Sequence, residues 1–158
     1  MAGNYFIFVA NDVQISPEEV ASAYDIADAL LGRGFWAFTT QAPLRTKLVK
    51  GDEVLVYLAG PGRRYFVAAA QVAAESGKVS KEQRDILRGF GLSFMEHSIV
   101  LSNIRRLEPF IEIRPLIPNL DFIVNKENYG LHLRLPIVQI KREDFDRIIG
   151  KARMVAWK

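Results

Sequence analysis

The sequence contains no cysteine and only two histidines, His97 and His132. Without cysteine the chain can form no disulfide, and both thiolate catalysis and a cysteine-ligated metal are excluded. Two histidines are too few for a histidine-rich metal site. The spacing of serine, histidine and carboxylate residues also assembles no catalytic triad. We therefore expect a protein that is not an enzyme and that holds no metal and no cofactor.

Long hydrophobic runs are missing as well. No apolar segment approaches the roughly 18 residues that a membrane-spanning helix needs. The apolar stretch from Tyr5 to Ala10 is too short for the core of a signal peptide, and no basic region precedes it. From these features we expect a cytoplasmic protein with no membrane partner.

The length and the hydrophobic content suit one folded domain. A chain of 158 residues with 49% hydrophobic residues can build one sizeable core. No internal repeat, linker or low-complexity segment divides the chain. We therefore expect residues 1–158 to form a single domain.

The chain is mildly basic, with a formal net charge of +3. That balance is compatible with a polyanionic partner, but it is equally typical of a solvated surface. The basic residues are unevenly distributed, since one group surrounds a predicted hairpin and a second group forms the tail. The first group is Arg45, Lys47, Lys50, Arg63 and Arg64, and the second is Lys151, Arg153 and Lys158.

A hairpin of two strands is predicted between Lys50 and Ala74. Lys50-Gly51-Asp52 is a turn signal, and almost every position from Glu53 to Ala59 is apolar, which is typical of an interior strand covered on both faces. Gly60-Pro61-Gly62 then breaks the run. The return segment from Tyr65 to Val72 is rich in alanine, which prefers helix. Because an apolar partner lies just across the break, we predict a strand there.

The N-terminal part predicts a strand followed by a helix. Tyr5 to Ala10 is rich in aromatic and branched residues, and Asn11-Asp12 ends the strand. Ser16-Pro17-Glu18-Glu19 offers a serine N-cap, a proline in the first helical position and a glutamate three residues after the cap. The predicted helix runs from there to Gly32 and covers one side of the sheet. Its apolar face would consist of Val20, Tyr24, Ala27 and Leu31.

A dense aromatic segment from Phe35 to Thr40 follows the helix. Side chains alternate across a strand, so at least one of its three large rings must point away from the others. Two interpretations of Trp36 are open. The ring can be an ordinary part of the core, or it can form one wall of a pocket for a flat ligand.

The second half of the sequence predicts short strands and two more helices. Ser80-Lys81-Glu82-Gln83 is an N-cap pattern that begins a short helix ending near Gly89. The other predicted elements are an extended segment from Ile99 to Ile113 interrupted at Pro109, an alternating segment from Leu131 to Leu135 in which His132 and Arg134 share one face, a final edge strand from Pro136 to Ile140, and a closing helix from Lys141 to Ile149. The chain as a whole therefore predicts an α+β domain of short strands with helices packed on the outside.

Several short motifs occur in an order that is itself informative. They are Val9-Ala10-Asn11, Phe35-Trp36-Ala37, Lys50-Gly51-Asp52-Glu53-Val54-Leu55-Val56-Tyr57 with an Ala-Gln-Val return strand, Pro115-Leu116-Ile117, Asn119-Leu120-Asp121-Phe122-Ile123, Asn125-Lys126 and Glu143-Asp144-Phe145. Each motif is weak alone, but together they cover essentially the whole chain. In order and spacing they resemble the EVE domain, a member of the PUA-like superfamily related to the YTH domains.

The resemblance implies a small, partly open β-barrel whose pocket accepts a base flipped out of a nucleic acid. Members of the family are thought to read methylated or otherwise modified bases in DNA or RNA, often in defence or restriction systems. By position, the resemblance assigns a set of base-binding residues, which are Asn11, Trp36 and Tyr57, and further Phe90, Tyr129 and His132. The first basic group would then bind phosphates, through Arg45, Lys47, Lys50, Arg63 and Arg64.

The sequence departs from the family pattern at two places. Small relatives tend to carry tryptophan where Tyr129 stands, and a further aromatic residue just after the first strand, where this sequence has Val13-Gln14-Ile15. Either the aromatic cage is incomplete or the preferred base differs.

Two other classes of function stay open at this point. A protein-interaction module could use the edge strand near Ile137 or the aromatic loop from Phe90 to Phe94. An enzyme is conceivable because the related ASCH domains include amidohydrolases, but their Gly-x-Lys-x-x-Glu-x-Arg signature does not occur here. Salt separates the binding classes, since affinity for nucleic acid falls steeply with added salt and an apolar protein contact does not.

Overall fold

A curled, mostly antiparallel sheet with helices on both faces forms the framework of the protein. The structure is a computed structural model, and it describes residues 3–60, 63–150 and 152–157. The strands are β1 (Tyr5–Ala10), β2 (Val13–Ser16), β3 (Glu19–Ala21), β4 (Phe35–Phe38), β5 (Glu53–Gly60), β6 (Arg63–Val72), β7 (Gly77–Lys78), β8 (His97–Glu112), β9 (Ile137–Ile140) and β10 (Arg153–Ala156). The helices are α1 (Ala23–Gly32), α2 (Lys81–Arg88) and α3 (Arg142–Ile149), and short 3-10 turns span Pro43–Lys47, Arg114–Asn119 and Tyr129–Leu133. The α+β class predicted from the sequence is confirmed.

The strand order through the sheet is β10-β8-β6-β5-β1-β9. The central strands β1 and β5 are parallel, and the other pairs in this path are antiparallel. Strand β8 is shared, since its first residues pair with β4 and β7 while the rest pairs with β6 and β10. Strands β2 and β3 form a separate small hairpin. The predicted hairpin of β5 and β6 is therefore confirmed, and it lies in the middle of the sheet.

Both faces of the central sheet are buried, which explains the continuous apolar run in β5. Val54, Val56 and Leu58 belong to one hydrophobic cluster, which includes α1 and β4. Leu55 and Tyr57 belong to a second cluster on the opposite face, which includes α3. Because side chains alternate along a strand, a strand buried on both faces must be apolar at every position.

The alanine-rich strand β6 contains a bulge. Val56 pairs with Ala68 and Tyr57 pairs with Phe66, so Val67 is the extra residue. The bulge places two consecutive residues, Val67 and Ala68, in the same cluster. Tertiary pairing on both sides overrides the helical preference of alanine, as the predicted hairpin requires.

The first helix begins later than predicted. Ser22, not Ser16, is the N-cap of α1, and its hydroxyl accepts a hydrogen bond from the Asp25 backbone N–H at 3.0 Å. Ser16 instead ends β2 and accepts from the Glu18 N–H in the turn to β3. Serine followed by proline suits a turn as well as a helix start. Val20, predicted on the apolar face of the helix, lies in β3 and is 54% exposed.

The segment from Leu131 to Leu135 also differs from its prediction. It forms part of a 3-10 turn, so only Leu133 is buried, while Leu131 and Leu135 are exposed. The predicted edge strand at Ile137 is confirmed as the edge strand beside β1, but it is not the final strand. Strand β10 follows and pairs with β8.

Other predicted elements are confirmed. Helix α2 has the full capping box of Ser80 and Gln83, and α3 packs Phe145 and Ile148 into the second cluster. The predicted interruption at Pro109 is wrong, because β8 runs through this residue as one strand and only its pairing with β6 is irregular there. Of the basic tail residues, Lys151 and Lys158 lie outside the described residues. No helix in the described ranges is long and apolar enough to cross a membrane.

A buried carboxylate holds the turn that precedes β5. Asp52 is fully buried, and its two oxygens accept from the backbone N–H groups of Asn4 at 2.9 Å and Val49 at 3.0 Å. Gly51 has a φ of +96°, a conformation that suits glycine. The Lys50-Gly51-Asp52 motif therefore has a structural role, because it ties the start of β1 to the start of β5.

A second buried carboxylate, Asp144 in α3, holds the loop before it. Its oxygens accept from the backbone N–H groups of Asp121 and Phe122, both at 2.8 Å, and from the Arg147 side chain at 3.1 Å. This contact joins the Asn119–Ile123 motif to the Glu143-Asp144-Phe145 motif. Two stretches that are distant in sequence thus form one structural unit on the face of the sheet that α3 covers.

We predict that Asp144→Ala lowers the free energy of unfolding by about 1–3 kcal/mol, because it leaves two backbone donors without their acceptor. Asp146→Ala, in the same helix, is the matched control. Asp146 is exposed, and among the described residues its carboxylate pairs with Arg142 at the surface, where a pair contributes at most about 1 kcal/mol. Urea denaturation of both variants measures the difference, and equal losses would contradict the structural role of Asp144.

Candidate functional site

An apolar pocket of about 240 Å³ opens where β1 ends. Its walls come from the last residues of β1, from Ile26 and Leu30 of α1, from β4, and from the loop that joins α2 to β8. Pro136, just before β9, completes the wall.

Trp36 lines this pocket and is also part of the core. It is only 4% exposed, and its ring lies 6.0 Å from the Phe8 ring at an interplanar angle of 25°. Phe38, two residues along β4, meets Phe8 edge to face at 5.0 Å. The two interpretations of Trp36 are therefore not exclusive, since a ring packed on Phe8 also faces the cavity.

The mouth of the pocket carries the polar and exposed groups. Asn11 and Arg134 are exposed, and Phe94 is 60% exposed. The sequence predicted Asn11 as a base-binding residue, but it placed Phe94 in the loop of the protein-interaction alternative and gave Arg134 no role in a site. The sequence does mark both residues, because Phe94 belongs to an aromatic loop that contains Gly91, and Arg134 alternates with leucines two residues after His132.

A second cleft, of about 300 Å³, adjoins the pocket and shares Asn11 and Arg134 with it. Tyr57, Arg64 and Tyr129 form its other polar lining. The Arg64 guanidinium donates a hydrogen bond to the Tyr129 hydroxyl at 2.7 Å, and it lies 5.5 Å from the centre of the Tyr129 ring. The cleft is therefore cationic where the pocket is apolar.

The surroundings of Tyr57 and Arg64 in the cleft favour a neutral phenol and a charged guanidinium. Burial raises the pKa of Tyr57 above its ordinary value, and Tyr129 adds to the rise while Arg64 opposes it. The hydrogen bond to Tyr129 raises the pKa of Arg64. Near neutral pH the cleft thus presents a neutral phenol at Tyr57 and a charged guanidinium at Arg64.

The structure separates the predicted base-binding residues into three groups. Asn11 and Trp36 line the apolar pocket, whereas Tyr57 and Tyr129 line the cleft. Phe90 is half-buried against the hydrophobic cluster that includes α1 and β4, and it does not line the pocket. The Nε2 atom of His132 accepts a hydrogen bond from the Asn125 N–H at 2.9 Å, which holds the 3-10 turn in place.

The predicted phosphate-binding residues are also dispersed. Lys50 precedes β5 and Arg64 follows it, so the eight residues of the strand separate them by roughly 25 Å. Lys47 is exposed, and Arg45 donates to the carbonyl of Ala42. The side chain of Arg63 lies outside the described part of the chain. Within that part, Arg64 is the member of the group that adjoins the cleft.

Metal binding has no visible basis in the described ranges. They contain no group of three or more histidine, aspartate or glutamate side chains placed to hold an ion. The arrangement instead offers an apolar cavity beside a cationic cleft, which suits a ligand with one flat apolar part and one anionic part.

We predict that Tyr57→Phe reduces the loss of stability in alkaline solution. Above the ordinary tyrosine pKa of about 10 the unfolded chain releases a proton that folded Tyr57 retains, so the free energy of unfolding falls as pH rises. Below that pH the contribution is fully present. Urea midpoints of the wild type and the variant between about pH 8 and pH 11 test this, and parallel curves would contradict it.

Comparison with known proteins gives a fold but no close relative. No family model matches the chain, and no curated protein matches its sequence. Solved structures do match over almost the whole chain. Human THYN1, in complex with DNA containing 5-methylcytosine, has a TM-score of 0.60 and 11% identity, covering 94% of this chain and 96% of that one.

Two microbial structures are similar to the same extent. The N-terminal domain of McrB from Staphylothermus marinus has a TM-score of 0.61 and 11% identity, covering 96% of each chain. Protein Atu2648 from Agrobacterium tumefaciens has a TM-score of 0.59 and 16% identity, covering 94% of this chain and 92% of that one. These likenesses show the fold alone: the chain shares the fold of human THYN1 and of the N-terminal domain of McrB, which agrees with the curled sheet that the resemblance implies.

Proposed function

We propose that this protein binds nucleic acid that carries a modified base, and that the base leaves the stack to enter the apolar pocket lined by Trp36. The observation that carries the proposal is a cavity of about 240 Å³ with a buried tryptophan in its wall and Asn11 and Arg134 at its mouth. Human THYN1, which shares the fold, was solved in complex with DNA containing 5-methylcytosine. By the same analogy we propose DNA as the partner, with RNA as the alternative.

The size of the cavity suits a base. An apolar cavity of about 150 Å³ is sufficient to bind benzene. A pocket of about 240 Å³ therefore has room for a six-membered ring with substituents. Taking a base out of the duplex costs a few kcal/mol, and stacking on an aromatic side chain returns roughly 1–3 kcal/mol.

The lining of the pocket favours a methylated base over its unmodified form. Val9, Ile26 and Leu30 present apolar surface on which a methyl group can be buried. Burial of one such carbon contributes about 0.8 kcal/mol, which corresponds to about a fourfold difference in affinity. A larger preference requires that the unmodified base leaves a void or an unpaired polar group.

Asn11 is suited to read the edge of the base. Its side-chain amide offers both a donor and an acceptor, and it lies at the mouth where the polar edge of an entering base would arrive. The cationic residues near the mouth would contribute affinity without sequence information, because phosphate contacts position a nucleic acid without identifying its bases. The resemblance extends the proposal to a role in a defence or restriction system.

A binding screen tests the function directly. Short DNA duplexes, single strands and RNAs, each carrying one modified base, are compared with their unmodified controls at the same moderate salt concentration. We expect at least one modified DNA to bind about fourfold or more tightly than its control. Binding of every modified oligonucleotide no tighter than its control would overturn the proposal.

We predict that Trp36→Leu weakens binding of the preferred modified DNA by about fivefold or more, because it removes an aromatic surface on which a base can stack. The same change lowers the urea midpoint, since Trp36 is only 4% exposed. The affinity for DNA must therefore be measured under conditions in which urea denaturation shows that the variant is fully folded.

Phe35→Leu is the matched control for this prediction. Phe35 is on the same strand and is buried as deeply as Trp36, but it does not line the pocket. We expect it to lower stability while leaving the affinity of the folded protein within about twofold of the wild type. Equal losses of affinity in both variants would show that Trp36 acts through packing alone.

A further inference from the structure

We propose that the cleft between Tyr57 and Tyr129 binds the phosphodiester that flanks the extruded nucleotide. Arg134, which lines both cavities, would contact the same nucleotide between its base and this phosphate. This proposal rests on the proposed function, and it names the part of the ligand that the second cavity takes. It differs from the expectation drawn from the resemblance, in which Tyr57 and Tyr129 belong to the base pocket.

The first argument is that both tyrosine rings already pack against other groups of the protein. Tyr57 is 1% exposed and packs against the ring of Phe66 at 5.0 Å. The guanidinium of Arg64 lies over the ring of Tyr129 at 5.5 Å. A base needs an open aromatic face, so these rings are poorly suited to hold one. Their polar ends remain for a polar ligand.

The second argument is the chemistry of the cleft lining. Arg64 and Arg134 supply two cations, and Tyr57, Tyr129 and Asn11 supply further donors. No carboxylate is among the described residues that line the cleft. A neighbouring groove that also includes Arg64 is lined by both Arg114 and Glu112, whose opposite charges offset each other, so that groove is less cationic than the cleft. An anion that approaches Arg64 is therefore favoured on the Tyr57 side.

The third argument is that Arg64 is held in position before any ligand arrives. Its hydrogen bond to Tyr129 and its contact with the ring restrict the guanidinium while leaving other N–H groups available. The phenol of Tyr129 accepts this bond, so its own hydrogen can be donated elsewhere. A guanidinium that is already oriented loses less conformational entropy when it binds a phosphate.

The fourth argument is the distance between the two cavities. They share Asn11 and Arg134, so they are separated by no more than the width of one side chain. A nucleotide carries its phosphates next to its own base, joined only by the sugar. A base in the apolar pocket would thus bring a flanking phosphate to the adjoining cleft, with Arg134 between the two.

A chemical double-mutant cycle tests this arrangement. A DNA duplex with the preferred modified base is prepared with a neutral methylphosphonate at one linkage at a time, beside the modified base or about five nucleotides away. Affinity is measured for the wild type, Arg134→Ala and Arg64→Ala. Arg153→Ala is the control, because Arg153 is an exposed arginine on β10, where it pairs with Glu108.

We expect the neutral linkage beside the modified base to weaken wild-type binding by about tenfold, as the loss of a charge-assisted contact does. In Arg134→Ala and Arg64→Ala the same linkage should cost clearly less than in the wild type, because one of the two charged contacts is already lost. In Arg153→Ala it should cost as much as in the wild type. The remote linkage should cost the same small factor in all four proteins.

Two results would overturn the inference. Equal costs of the flanking methylphosphonate in all four proteins would show that the cleft does not hold that phosphate. If Arg134→Ala reduced the cost of the flanking and the remote methylphosphonate equally, Arg134 would belong to an unspecific phosphate-binding surface. The preference for modified over unmodified DNA, measured with ordinary linkages, separately tests the proposed function. If modified DNA is preferred but the cost of the flanking methylphosphonate does not depend on the arginines, only the phosphate role of the cleft is wrong. If that cost depends on the arginines but modified DNA is not preferred, only the reading of the base is wrong.

Discussion

The parallel pairing of β1 with β5 is the constraint on which the rest of the structure depends. Both strands are buried on both faces, and a parallel pair requires a long crossover between its strands. Here the crossover contains α1 and β4, which pack on one face of the sheet. The crossover therefore brings Trp36 to the end of β1, although the two are distant in sequence. The turn held by Asp52 fixes the other end of the same pair.

The same sheet separates the two cavities. Trp36 belongs to the hydrophobic cluster on one face, and Tyr57 belongs to the cluster on the other. The apolar pocket and the cationic cleft consequently develop on opposite sides of the sheet and meet where β1 ends, at Asn11 and Arg134. An apolar cavity and a cationic cleft placed side by side can bind the base and the phosphate of one nucleotide, which is the physical basis of both proposals.

Carboxylates that accept backbone hydrogen bonds join separate segments of this fold. Asp52 and Asp144 each accept two backbone hydrogen bonds from other loops. Asp12 accepts from the first N–H of α1, at Ala23, and so connects the end of β1 to the helix that lines the pocket. Because an unpaired buried donor is costly, each carboxylate selects one arrangement of the loops around it. Three of the motifs that resemble the EVE family are explained by these contacts.

Local patterns in the sequence were sufficient to predict the central hairpin, the capping box of Ser80 and the closing helix, because each depends on residues close together in the chain. The motif order also placed Asn11 and Trp36 beside the pocket. Tertiary structure decided the rest. The local pattern predicted Ser16 as the N-cap of α1, but the pairing of β2 with β3, together with the hydrogen bond from the Ala23 N–H to Asp12, starts the helix at Ser22 instead. Arg134 entered the site because the loop before β9 lies against the end of β1, a long-range contact that spacing along the chain does not encode.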